Sequence, residues 1–154
     1  MIPLQLKDSR GNFMLPQAPE SAGYYTYGTP GNGQGQFSTP KLLTLIFNVE
    51  RRWSETDNRK FGVGNISMAG GGSFKGHQGH RNGLHVDIRP LRKDGKPLGV
   101  TALDSQYDKE ATKRLIRLFW DSNIVSKIYF GDASIPNVTP LAGHFNHFHV
   151  EVMV

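Results

Sequence analysis

Apolar residues recur at Leu42, Leu43, Ile46, Val49 and Trp53, at intervals of three and four. That spacing puts them on one side of a helix with 3.6 residues per turn. Ser38-Thr39-Pro40 stands just before, offering a hydroxyl cap and a proline for the first turn. The pattern predicts a helix ending near Trp53, with Glu50, Arg51 and Arg52 on its solvated side. Ala111, Leu115, Leu118 and Phe119 repeat the period behind Asp108, a second capping residue, and predict a helix from Lys109 to about Ser122. Elsewhere the period falls to two. Leu84, Val86 and Ile88 alternate with His85 and Asp87, predicting a strand with one apolar and one polar face. Phe145–Val152 reads the same way, with Phe148, Val150 and Val152 opposite His147, His149 and Glu151. Val125–Phe130 and Phe61–Met68 are further expected strands.

The remainder is punctuated by turn residues. Residues 1–38 carry six Gly and four Pro and are expected to form a loop-rich lead-in packed on the body. Tyr24, Tyr25 and Tyr27 are read as its anchors, with the lining of a groove as the alternative. Ala69–Ser73 interrupts regular structure, RPLRKDGKPLG is a basic turn with Asp94-Gly95 at its tip, and GDASIPNVTPLAG is a loop. The order helix, strands, helix, strand, strand is not a βαβ alternation. It predicts an α+β fold: a single domain with a central, mainly antiparallel sheet and flanking helices. Residues 39–154 are expected to be its body, behind the lead-in 1–38.

Composition narrows the chemistry. The 154 residues contain no cysteine, which excludes disulfides, thiolate metal sites and cysteine nucleophiles. Net charge is +5 with a pI near 9.6, which favours anionic partners such as an acidic cell-wall polymer. No apolar run is long enough to span a membrane. The opening MIPLQLKDSRGNFMLP lacks a sustained apolar stretch after a basic start, so no secretory signal is expected. Gly70–Gly72 is not followed by the Lys-Ser/Thr that a phosphate-binding loop requires.

All six histidines fall in two clusters. His77, His80 and His85 lie in GHQGHRNGLHVDI; His144, His147 and His149 lie in GHFNHFHVEV. If the polar faces of the two strands look the same way, they present imidazoles and a carboxylate over an apolar floor. His80 precedes Asp87 across Asn82-Gly83, where the chain can turn back. A His, Asp, His set suits Zn²⁺ with one position left open, the arrangement of hydrolytic zinc sites.

The two histidine segments resemble the penicillin-insensitive murein endopeptidases. These are zinc peptidases of the group that also holds lysostaphin-type enzymes, D-Ala-D-Ala peptidases and the hedgehog signalling domain. YDKEATKRLIRLF and KIYF are similar to the segment between the motifs. The resemblance implies that His80, Asp87 and His149 are zinc ligands. It implies that His147, or alternatively His144, is the general base, and that His77 is an outer histidine able to touch a second metal. Two positions depart from the family pattern: Gly79 stands where serine is common, and His85 where aspartate is common. No glutamate stands just before His147 to act as base. The role of His85 is open between an outer-shell partner and an exposed strand residue.

The implied substrate is peptidoglycan, cut at a peptide cross-link such as D-Ala–diaminopimelate. A monomer acting at the cell wall or periplasm is expected, with no nucleic-acid or membrane partner, as a phage lysin or an exported antibacterial effector. Two alternatives are a non-catalytic zinc module that binds the wall and a metal-dependent nuclease. The widely separated histidine clusters disfavour the nuclease, whose motif sits in one compact hairpin. Arg89, Arg92, Lys93 and Lys96 either solvate a turn or attract an anionic polymer.

Overall fold

The structure, a computed structural model, describes residues 7–17, 20–72, 80 and 82–154. It is α+β. A five-stranded sheet runs in the order β2(Tyr24–Thr26), β4(Phe61–Val63), β5(His85–Ile88), β7(Phe148–Val152), β6(Val125–Tyr129). Three of its pairings are antiparallel; β2 alone joins in parallel, against β4. A small antiparallel pair, β1(Phe13–Met14) and β3(Phe37–Ser38), lies outside it. The helices are α1(Pro40–Thr56) and α2(Lys109–Trp120).

Both helices start where their caps predict. Thr39 accepts from the Leu42 amide at 3.3 Å, and Asp108 from the Ala111 amide at 3.0 Å. Each cap satisfies a donor that the first turn leaves unpaired. The apolar stripes differ slightly from expectation. Leu45 is buried and Leu43 only half-buried in α1; Ile116 is buried and Leu118 half-buried in α2. Both stripes pack on one face of the sheet. Phe61 meets Trp53 and Phe119 at ring separations of 6.5 Å, and Phe119 meets Phe148 at 5.9 Å. Val63, Val86, Ile88, Ile128, Val150 and Val152 complete the core from the sheet.

Several boundaries correct the sequence reading. The first helix continues to Thr56, past Trp53, and the second stops at Trp120 rather than Ser122. The expected strand over 61–68 is regular only at Phe61–Val63, although Gly64 and Asn65 still exchange backbone hydrogen bonds with Asp87. The last strand starts at Phe148, so Phe145, Asn146 and His147 lie in the turn that leads into it. Alternation looks the same in a strand and in a short irregular approach to one; only the ladder partners distinguish them.

Because the side chains of a strand alternate, the face opposite the helices is also specified. It carries His85 and Asp87 from β5 and His149 and Glu151 from β7, in direct register: His85 opposite Glu151, Asp87 opposite His149. Lys127 and Tyr129 of β6 continue the rows, opposite Glu151 and His149. On the other flank Gly62 and Gly64 present no side chain there. A Cβ at Gly62 would come within 2.8 Å of the Tyr25 ring, and one at Gly64 within 2.6 Å of the Tyr27 ring. The YYTY segment therefore splits. Tyr24 is a buried anchor whose hydroxyl donates to the Pro16 carbonyl at 2.7 Å, while Tyr25 and Tyr27 lie over the glycines on the histidine-bearing face.

Candidate metal centre

Three elements deliver the central groups. β5 holds Asp87 and β7 holds His149 at paired positions. His80 comes from the segment before β5, where Gly83 adopts φ +77°, a left-handed turn that glycine makes without a steric cost. The Nδ1 of His80 lies 2.8 Å from the Ile66 carbonyl, which fixes the ring. Its Nε2 then faces Asp87 Oδ2 at 3.2 Å. The Nδ1 of His149 lies 3.0 Å from Asp87 Oδ1. One ligand atom each from His80, Asp87 and His149 lie within 4.8 Å of one another. All three residues are buried, at 2%, 5% and 7% exposure.

The electrostatics are those of a coupled cluster. Burial opposes the charge on Asp87, but hydrogen bonds from His149 and His80 more than offset it and hold the carboxyl below its usual range. Burial likewise works against a charged His80, and the contact with Asp87 overcomes it, raising that imidazole's pKa. A carboxylate held ionised between two imidazoles suits a divalent cation, because metal ligands must bind without their protons. Two imidazoles and one carboxylate make a nitrogen–oxygen donor set appropriate to zinc.

The two further histidines stand beside this set. His147 Nε2 is 3.7 Å from Asp87 Oδ1, and its Nδ1 is 2.7 Å from Asn146 Oδ1. The rings of His144 and His147 are 4.7 Å apart, and that of His144 is 6.0 Å from His149. His147 thus reaches the cluster from the turn before β7 and not from the strand. Burial lowers its pKa. His85 is half-buried, 5.1 Å ring to ring from His149, and burial lowers its pKa also. Its Nδ1 is buried without a hydrogen-bond partner. His77 lies outside the described residues.

Two contacts around the cluster are specified only by the fold. The Nε2 of His149 lies 3.4 Å from Glu151 Oε1, so the imidazole has a carboxylate on each side. Glu151 is thereby placed to accept a proton carried on the Nε2 of His149. The i, i+2 spacing of H-x-E on a strand was the available signal. Tyr27 and Arg89 also flank the cluster: the Arg89 guanidinium lies 4.0 Å above the Tyr27 ring. Alternation within YYTY, which sends Tyr25 and Tyr27 away from Tyr24, was the signal there.

An α+β chain gathers buried imidazoles and a carboxylate here on the open face of a mainly antiparallel sheet, a group of side chains that could hold a metal ion. Residues 19–127 match the model of the penicillin-insensitive murein endopeptidase family, more than half of the chain, and the protein belongs to that family. It is therefore a peptidase with peptidoglycan as its substrate class. The match spans His80 and Asp87 and ends before His144, His147 and His149. Comparison with curated proteins returned no match. No helix among the described residues is long and apolar enough to cross a membrane.

Proposed function

We propose that this protein is a zinc-dependent endopeptidase that cuts the peptide cross-links of murein, at a bond such as D-Ala–diaminopimelate. The observation that carries the reading is the convergence of His80, Asp87 and His149, buried and within 4.8 Å, with a second pair of imidazoles alongside. His80, Asp87 and His149 hold the zinc in this reading. Zinc at such a site supplies Lewis acidity toward a carbonyl and makes a hydroxide-like nucleophile accessible near neutral pH.

The chain's own residues account for the rest. His147 is the general base. Burial keeps its imidazole unprotonated at neutral pH, and Asn146 orients its ring from Nδ1, leaving Nε2 to take a proton from the attacking water. The resulting imidazolium returns that proton to the leaving amine. His144, one ring away, faces the same space and is the alternative for this role. Glu151 supports His149 from Nε2, leaving Nδ1, on the Asp87 side, as the nitrogen that would bind the metal. The reading places the protein's action at the cell wall or periplasm, as a lysin or an exported effector, working as a monomer.

The test is digestion of purified cross-linked murein followed by mass spectrometry, with and without a chelator. New amine and carboxyl ends at the cross-link, absent when the metal is removed, are expected. Intact cross-links, or cleavage undiminished in chelator, would refute the proposal.

A further inference from the structure

We infer that Arg89, set over the Tyr27 ring, is a carboxylate-binding subsite for the murein peptide. The inference rests on the peptidase reading above and names a feature of the substrate that the site selects.

The basic segment after β5 is not uniform. Arg92 is committed: its guanidinium pairs with Asp94 at 2.7 Å and donates to the Gly99 carbonyl at 2.9 Å. Arg89 has no carboxylate or carbonyl partner among the described residues; what holds it is the Tyr27 ring, 4.0 Å away. A guanidinium held over a ring by its π face keeps its N–H donors for another partner, and none of those of Arg89 has a hydrogen-bond acceptor among the described residues. The group is half-buried. Half burial removes part of the guanidinium's hydration, so a carboxylate reaching its edge would gain a charge-assisted contact. The Tyr27 hydroxyl is buried and also without a hydrogen-bond partner.

The pair sits where a substrate would pass. The Arg89 amide still donates to the Gly62 carbonyl at 3.0 Å, so its side chain follows Asp87 on the same face of the sheet. Tyr27 covers Gly64, whose amide donates to the Asp87 carbonyl at 2.8 Å. Arg89 and Tyr27 therefore border the His80–Asp87–His149 cluster on the β4 side, and Tyr129 and His144 border it on the β6 side. A peptide lying across the strands meets the arginine on one side of the scissile bond and the imidazoles on the other. The planar fork of donors matches a carboxylate through two parallel hydrogen bonds. We assign it to a free carboxylate on the peptide strand that presents the scissile bond.

Matched cross-linked peptides, one with free carboxylates and one with those groups as primary amides, test this. The readouts are kcat/KM with the zinc-loaded enzyme and calorimetric binding to the His147→Ala protein, which leaves the peptide uncut. With Arg89 present, amidation should weaken both by roughly ten- to a hundredfold, as loss of a charge-assisted contact does. Arg89→Gln should show the same loss on the free carboxylate and none further on amidation. Arg89→Lys should fall between, with zinc content unchanged in both variants. Equal handling of the two peptides by the Arg89 protein, or a full carboxylate preference in Arg89→Gln, overturns the assignment. If the Arg89 protein neither binds nor cuts either peptide, the peptidase reading falls and this one with it.

Discussion

The two faces of the central sheet come from the same strands, yet they follow opposite rules. The face under the helices is apolar, closed and interlocked: Trp53, Phe61, Phe119, Phe130 and Phe148 are all buried there. The other face holds ionisable groups within bonding distance of one another, glycines where side chains would otherwise stand, and buried polar atoms on Tyr27 and His85 that find no partner. A well-packed interior leaves few such groups unsatisfied. Trp120 of α2 also buries an unpartnered nitrogen, so what sets the open face apart is its cluster of ionisable groups and its glycines, the features of a site arranged for a ligand. Changes on the helix-covered face should thus cost stability, and changes on the histidine-bearing face should cost metal or rate.

The largest effect expected on the open face is on turnover. His147→Ala should retain zinc but lose about 10²–10⁴ in kcat, the range for a general base. The pH profile sharpens this. Burial lowers the His147 pKa below its ordinary value, so the base is available at neutral pH and activity is lost as pH falls through that lowered value. The acid limb should disappear in the variant. On the closed face, Phe148→Ala should destabilise the metal-free protein by about 3–5 kcal/mol through cavity formation, read by denaturant unfolding. Unaltered stability would break the contrast from that side.

Two smaller effects probe the support around His149. Glu151→Gln should weaken zinc binding by roughly ten- to a hundredfold, the usual cost of removing an outer carboxylate, measured by competition with a chromophoric chelator. Unfolding stability of the metal-free protein should hardly move. His85→Leu removes a buried ring nitrogen that has no partner. It should stabilise the metal-free protein by about 1 kcal/mol, at the low end of the cost of an unsatisfied buried group. A loss of stability would mean that His85 is held in place after all.

Much of this was legible before any coordinates. Helix periodicity and caps located α1 and α2, because side-chain spacing and first-turn donors are local properties. The α+β class followed from the order of elements. Strand parity put His85 and Asp87 on the polar side of β5, and His149 and Glu151 on that of β7. Pairing was not legible. Whether β5 and β7 are neighbours, and in which register, depends on contacts between distant segments, which no local pattern encodes. For the same reason the pattern extends the last strand back over His147, and does not reveal that β2, within the loop-rich lead-in 1–38, is an edge strand of the main sheet. The different fates of Arg89 and Arg92 were equally out of reach, since only the fold decides which of two nearby cations finds a carboxylate.

The central claim is that His80, Asp87 and His149 grip one zinc ion. Elemental analysis of the purified protein beside its Asp87→Ala variant, with circular dichroism to verify that both are folded, tests it most directly. One zinc per chain in the parent and almost none in a folded variant is the expected result. Full zinc occupancy in the variant, or none in the parent after loading, would contradict the assignment.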